Sequence, residues 1–542
     1  MALTYCHADR FNLIMFVPRF LLSLIFTFNF SLSVLQAEKS KPNFIIIFTD
    51  DQGYGDLGCF GSTKIKTPNI DRMAKEGRRF TNFMVASPVC TPSRAALLTG
   101  CYPKRVGMHQ HVLFPSSTKG LNPKEYTIAD HLKSQGYATA AFGKWHLGHH
   151  PETLPQKNGF DTYFGIPYSN DMNHPDNKGK PPGRAPGMDA LWKDPGSTLT
   201  KWNTPLMENE KIVELPVDQR TVTRRYTQKA IDFMTKNQNK PFFVYLPHSM
   251  PHIPLYVPDE VRDPNHLNAY TNTIEHIDAE VGRLMDKVRE LGLSKNTYVI
   301  YTTDNGPWLP FKHHGGSAGP LRDGKGTTFE GGQRVPCVMW APGRIPANSE
   351  CHELMGTIDL LPTIAALTET PLPVGQKIDG LNASSLLAGD KKSPRNEFLY
   401  YTSRGDLEGI RKDKWKLLVK KKRKDSWTKK KKDLLNLRKK LKTLVITPNA
   451  AKKKGLNINL DGKKRSAFEL LSYPEIEYRD LKVFWNDIEI LSPQVEKTIS
   501  AEALYDRYLA RQQLDIERLS LIHISEPTRP RLISYAVFCL KK

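Results

Sequence analysis

The chain has 542 residues, 39% of them hydrophobic and 25% charged, with a formal net charge of +22. That composition points away from membrane-embedded and fibrous classes, and the length exceeds what one core fills, so a large domain plus a smaller one is expected. The charge is local: residues 420–442 hold 13 Lys/Arg against Asp425 and Asp433, and residues 452–465 hold six against Asp461, so the high pI belongs to one late segment.

In chain order, residues 1–37 read as an export signal. Arg19 leads into the apolar run 20–35, and Leu35-Gln36-Ala37 offers a cleavage site after the alanine. The run is shorter than the roughly 20 apolar residues of a membrane span, with an uncleaved anchor as the alternative. The expected destination is a secreted, periplasmic or lysosome-like compartment. Outside the signal and the last 24 residues stand Cys59, Cys90, Cys101, Cys337 and Cys351, with neither disulfide-scaffold nor zinc-site spacing.

Residues 44–48 form a continuous apolar run rich in β-branched side chains, the pattern of a strand buried on both faces, and Asp50 and Asp51 follow it directly. The pattern recurs at 137–142, 242–246 and 298–302, each time with polar residues just beyond. Between the last two, Ile274, Ile277, Val281, Leu284, Val288 and Leu291 recur at spacings of three and four, predicting an amphipathic helix, and 359–367 predicts another with Pro362 in its first turn. Strands alternating with helices predict an α/β domain with a mostly parallel sheet, whose ligands sit beyond the carboxyl ends of the strands. Residues 175–205, rich in Pro, Gly, Asp and Lys, read as a long surface loop able to frame a pocket. The Lys-rich stretch 420–465 shows too little apolar periodicity to be assigned to a core. Residues 519–542 look like an in-frame translation of sequencing-adapter DNA, so they are set aside and the natural C-terminus is expected to be missing.

Asp50 and Asp51 at one strand end, with Asp304 and Asn305 at another, offer four hard oxygen ligands and no sulfur, a set suited to calcium or magnesium. Cys90, Pro92 and Arg94 followed by Leu98-Thr99-Gly100 match a C-x-P-x-R signature with its L-T-G ending. This resembles the formylglycine-dependent (type I) sulfatases, of the arylsulfatase A and N-acetylgalactosamine-6-sulfatase kind. The likeness extends to Lys144 and His146 in Gly143-Lys144-Trp145-His146, to His252 in His252-Ile253-Pro254, to the segment 321–336 around Lys325, and less specifically to Ser169. It is dense from about residue 41 to residue 418. Arg411 to Trp415 resemble the strand that opens the family's smaller C-terminal sheet.

The resemblance implies an alkaline-phosphatase-like α/β fold with a smaller C-terminal α+β subdomain. The expected catalytic domain is 38–340, and the subdomain, including the Lys-rich segment, is 341–518. It implies a Cys90 oxidised to formylglycine by a maturation enzyme, and one calcium ion held by Asp50, Asp51, Asp304, Asn305 and position 90. A thiol stays attached after attacking sulfur, whereas a hydrated aldehyde has two hydroxyls. One attacks the sulfate ester to give a covalent sulfo-enzyme and the other, deprotonated, expels sulfate. Arg94, one helical turn on, holds the hydrate. Lys144, Lys325 and Ser169 contact sulfate, His146 is the base, and His252 serves the leaving oxygen. His248 reads as structural. Sulfated carbohydrates or aryl sulfates are the expected substrates, with a phosphate or phosphonate ester hydrolase, or a non-catalytic binder of sulfated glycans, as alternatives. The basic runs offer a polyanion contact, and no nucleic acid partner is expected.

Overall fold

The structure, a computed structural model, describes residues 41–173, 188–194, 202–389, 392–419, 421–456, 458–473, 475–489, 495–506 and 509. The expected export signal, the tail 519–542 and most of the loop 175–205 lie outside these. The loop's described part holds a short helix, Met188–Lys193, where no element was expected.

An 11-stranded sheet carries the first unit. Its strands are β1 (Asn43–Thr49), β2 (Arg78–Met84), β3 (Ala138–Phe142), β4 (Thr162–Gly165), β5 (Leu206–Glu208), β6 (Lys211–Glu214), β7 (Phe242–Pro247), β8 (Thr297–Thr303), β9 (Arg334–Trp340), β10 (Ser349–Cys351) and β11 (Met355–Gly356). They are ordered β10-β2-β9-β8-β1-β7-β3-β4-β5-β6, with β11 also on β2. The centre, β8-β1-β7-β3-β4, is parallel, while β9 runs antiparallel to both β8 and β2. The alternation of β1 explains its apolar run: Ile45 and Ile47 pack in one cluster with the helices Pro68–Glu76, Val222–Lys236 and Ala269–Glu290, while Phe44, Ile46 and Phe48 pack in another with Cys90–Thr99 and Leu360–Leu367. Helices thus cover both faces, as expected for this fold class. Thr49 pairs with Thr303 and Phe48 with Pro247, so β1, β7 and β8 end level and deliver their next residues to one edge.

A smaller antiparallel sheet follows, β12 (Glu397–Tyr401), β13 (Leu407–Lys412) and β14 (Trp415–Leu418). Trp415 therefore begins the strand that closes this sheet, not the one that opens it. Lys416 reaches Glu330 Oε1 at 2.7 Å and the Thr328 carbonyl at 2.8 Å, so β14 buttresses the segment that carries Lys325.

Two compact units, Met1–Leu418 and Val419–Lys542, divide the chain after the small sheet and not near residue 340. The reason is packing: β10 and β11 pair with β2, and Leu360, Leu361 and Ile364 fill the same cluster as Leu97 and Leu98. The second unit has its own core, including Leu441, Phe468, Leu470, Leu481 and Ile499. The Lys-rich stretch contributes to it, contrary to expectation: Lys421–Thr443 is helical, and Leu434, Leu437, Leu441 and Leu444 lean on that core at spacings of three and four.

His248, just past β7, is fully buried, and neither ring nitrogen has a hydrogen-bond partner. Burial, and secondarily His276, pushes its pKa down to about 3. An unfolded histidine titrates near 6.5. Below about that pH the unfolded chain takes up a proton that the native state refuses, so His248 subtracts stability as pH falls from about 6.5 toward 3. Calorimetry between pH 7 and pH 4 should show a steep fall in Tm that is shallower in His248→Phe; equal slopes would remove His248 as a contributor.

Candidate active site

The expected residues converge at the carboxyl edge of β8, β1, β7 and β3. The helix Cys90–Thr99 is buried at every residue, and its first residue aims at this edge. Cys90 Sγ lies 3.4 Å from Asp50 Oδ1 and 3.7 Å from Lys325 Nζ. One turn on, Arg94 donates through Nε and Nη2 to Asp304 Oδ2 at 3.1 and 2.8 Å and lies 3.2 Å from Asp50 Oδ2; its Nη1 donates to the Lys144 carbonyl at 3.0 Å. All three charged side chains are fully buried. Arg94 therefore grips the carboxylates here.

Lys144 Nζ is ion-paired to Asp50 and donates to Ser169 Oγ at 3.0 Å. Lys325 Nζ pairs with Asp51 Oδ2 at 2.6 Å over the ring of Trp308, 4.2 Å from its centroid. Three carboxylates are thus matched by three cations. Burial raises the Asp50 carboxyl, but Lys144, Arg94, His252 and Lys325 outweigh it and hold it well below the usual range. Asp304 goes the other way, pushed up by burial and by Asp50 despite Arg94. Cys90 remains a thiol, held far above its ordinary value by burial and then by Asp304 and Asp50, so the unmodified side chain is a poor nucleophile here.

The donor set fits a hard cation. Asn305 Nδ2 donates to Asp51 Oδ1 at 2.7 Å and to the Gly306 carbonyl at 2.9 Å, which leaves its Oδ1 buried without a partner. A buried acceptor of this kind is costly unless a donor or cation meets it. Ligand atoms of Asp50, Asp51, Cys90 and His252 lie within 4.8 Å of one another. With Asp304 and Asn305 they make an oxygen-rich nest of the kind calcium or magnesium takes.

His146 donates from Nε2 to the Leu113 carbonyl at 2.8 Å, so its lone pair is on Nδ1, which is buried and has no partner. Burial, with Lys144 and Arg94 adding to it, holds the ring well below its usual pKa and hence neutral. Thr91 Oγ1 donates to the His146 carbonyl at 2.9 Å and so ties this segment to the nucleophile helix. His252 Nδ1 is 2.6 Å from the Ile253 carbonyl, and its Nε2 lies 3.6 Å from Asp51 Oδ2. Its pKa is lowered to about 4 by burial and Lys325.

Sequence reasoning missed Trp308, whose ring lies under Lys325 and 5.5 Å from that of His252. The only signal was an aromatic directly after Asp304-Asn305-Gly306-Pro307. It also missed Asp171, a half-buried residue whose carboxyl is raised by desolvation near Lys144.

The sulfatase family profile matches residues 42–370. Arylsulfatase A of Homo sapiens is 42% identical over 369 residues, covering 67% of this chain and 71% of that protein, and N-acetylgalactosamine-6-sulfatase of Canis lupus familiaris is 36% identical, covering 67% and 69%. Among solved structures, Ps i-CgsB in complex with k-i-k-neocarrahexaose is 32% identical with a TM-score of 0.61, covering 70% of this chain and 84% of that one. Residues 421–513 separately match the profile of the C-terminal helical domain of the tRNA modifying enzyme MnmG/GidA. The likeness over 42–370, together with a charge cluster assembled at the carboxyl edge of an alkaline-phosphatase-like sheet, places the chain in the sulfatase family as a sulfuric ester hydrolase of the arylsulfatase A kind.

Proposed function

We propose that the chain hydrolyses sulfate esters of carbohydrates or aryl alcohols using a formylglycine at position 90, made by a maturation enzyme, and one calcium ion. The observation that carries this is the place of Cys90: it heads a buried helix between Asp50 and Lys325 in a setting that suppresses the thiolate. As a formylglycine hydrate, position 90 would supply one hydroxyl that loses its proton to the surrounding carboxylates and attacks sulfur to form a covalent sulfo-enzyme, and a second whose deprotonation breaks the C–O bond to sulfate and restores the aldehyde. Calcium would be held by Asp50, Asp51, Asp304, Asn305 and position 90, and would supply positive charge to a cluster whose own charges balance.

The chain's residues do the rest. Lys144, steadied by Ser169, and Lys325, steadied by Trp308, present ammonium groups to the sulfate oxygens. The alcohol oxygen leaves as its bond to sulfur breaks, and it takes a proton from His252. Because the Ile253 carbonyl holds Nδ1–H, that proton comes from Nε2 of the imidazolium form. His146 then accepts the second hydroxyl's proton on Nδ1, where its lone pair lies. The relatives support a sulfated carbohydrate as substrate, one of them being an N-acetylgalactosamine-6-sulfatase and another holding a neocarrahexaose. Export under the signal 1–37 completes the reading.

The residues assigned roles above all precede the second unit. Its exposed Lys432, Lys439, Lys440 and Lys442 offer a polyanion contact. Because its profile match is to a domain of a tRNA modifying enzyme, RNA belongs beside sulfated polysaccharide in any binding assay of this surface.

Mass spectrometry of the peptide spanning Cys90, from protein made in its own host, should show the aldehyde, and sulfate release from an aryl sulfate should stop on calcium chelation. An unmodified thiol in protein that still releases sulfate would overturn the reading, and faster release of phosphate than of sulfate would move it to a phosphate ester hydrolase. The pH profile is a second check. His252 must be protonated to act, so kcat/KM should fall as pH rises through its pKa, which is about 4 in the free protein. His252→Gln should lose that limb along with most of the rate; a variant that keeps the limb would assign it to another group.

A further inference from the structure

Away from the catalytic cluster, three histidines meet one carboxylate. Asp189 lies in the helix Met188–Lys193, His266 in the turn His266–Asn268, and His313 and His314 end the turn Leu309–His314. His313 Nε2 and His314 Nε2 are 2.8 and 2.9 Å from Asp189 Oδ1, and His266 Nε2 is 3.6 Å from Asp189 Oδ2. Ligand atoms of Asp189, His266 and His313 all lie within 4.8 Å of one another. From this convergence we propose a second metal site, in which Asp189, His266 and His313, with His314 beside the same carboxylate as the fourth candidate ligand, take a divalent transition ion of the zinc class and clamp the helix Met188–Lys193 to the segment that leaves the active site.

Ligand chemistry separates this site from the catalytic one. Three imidazoles and one carboxylate suit zinc, nickel or copper, whereas calcium takes oxygen ligands throughout. A tetrahedral ion with bonds of about 2.0–2.1 Å spaces its ligand atoms about 3.3 Å apart, and the three Nε2–Oδ distances straddle that value, so small shifts would admit the ion. The framework is set independently of these four residues. Trp192 is buried and donates from Nε1 to the Asp263 carbonyl at 2.7 Å, and Arg262 Nη1 donates to the Trp192 carbonyl at 3.0 Å, so the helix is already docked beside His266. On the other side, Lys312 holds φ at 53° and ψ at −115°, a conformation that residues other than glycine seldom adopt, immediately before the two histidines. His314 is nearly buried, while His266, His313 and Asp189 are partly exposed, so an ion can enter from solvent.

The clamp bears on the active site through sequence continuity. The turn Leu309–His314 begins directly after Trp308, the ring that supports Lys325. An ion at its far end would fix that turn to the helix Met188–Lys193 and to the turn His266–Asn268.

The test is a Co2+ titration of the full chain in excess calcium, which keeps the catalytic oxygen ligands occupied. We expect one equivalent of Co2+ with the visible d–d bands of tetrahedral coordination, no thiolate charge-transfer band, displacement by Zn2+ and a higher Tm. In the double variant His266→Gln/His313→Gln, binding should weaken by more than about tenfold, a loss that even a neighbour of a metal ligand can cause, while calcium-supported sulfate release persists. Asp189→Asn, at a partly exposed position, serves if the double variant does not fold, and should lose the same bands. No Co2+ uptake by the parent protein, or uptake of equal affinity and spectrum in the variants, would overturn the proposal and leave a hydrogen-bonded histidine cluster. Neither result depends on the reading of position 90.

Discussion

The rest of the site depends on a fully buried charge network in which Arg94 spans Asp304 and Asp50, and Lys144 pairs with Asp50. Taking ions out of water costs several kcal/mol each and is offset only when the geometry is close and the remaining polar atoms are satisfied. That demand couples the parts of the fold. Asp50 and Asp304 can share one guanidinium because Thr49 and Thr303 are in register on β1 and β8. Arg94 can reach both because its helix is buried along its whole length. Cys90, one turn before Arg94, is placed by the same contacts, so the nucleophile's position follows from the charge pairing.

Backbone strain and close packing appear at the same edge. Asp51 and His146 hold φ at 62° and 56°, values that cost on the order of 1 kcal/mol or more outside glycine. Each is fixed from several sides, Asp51 by Asn305, Lys325 and a hydrogen bond from its backbone N–H to Asp304 Oδ1, His146 by the Leu113 carbonyl and the Thr91 hydroxyl. Gly306 shows why the residue after Asn305 has no side chain, since a Cβ there would collide with the Gly331 carbonyl. The site is thus arranged before substrate arrives, and the orphaned Asn305 Oδ1 and His146 Nδ1 mark where a cation and a proton fit.

Much of this was legible in the sequence because buried parallel strands announce themselves as apolar runs with polar ends. Residues 44–48, 242–246 and 298–302 became β1, β7 and β8, and Asp50, His252 and Asp304 follow them at the same edge. The misses have physical causes. In β9, Pro336 interrupts the strand signal, and its antiparallel course is set by pairing with β2 and β8, which no local pattern reveals. Trp308 acts through its ring face on Lys325, a contact fixed only by the tertiary fold. In the Lys-rich helix, Leu434, Leu437 and Leu441 at helical spacing were masked by the surrounding lysines, although only one face needs to be apolar for a helix to pack.

The domain boundary makes the same point on a larger scale. The family resemblance put the basic segment within a sulfatase subdomain, yet the sulfatase profile ends at residue 370, the small sheet ends at Leu418, and the helical-domain profile begins at residue 421. The small sheet buries Phe398 and Tyr400 on one face, while Ile410, Trp415 and Leu417, paired across β13 and β14, stay exposed on the other. The basic unit beyond it encloses its own leucine-rich core. Every charged group of the catalytic cluster lies between Asp50 and Lys325, and the small sheet reaches that machinery through Lys416 and Glu330. The chemistry is therefore specified upstream of the join at 418–421. Most of the +22 charge that dominates the composition lies in a different unit from the one that carries the active site.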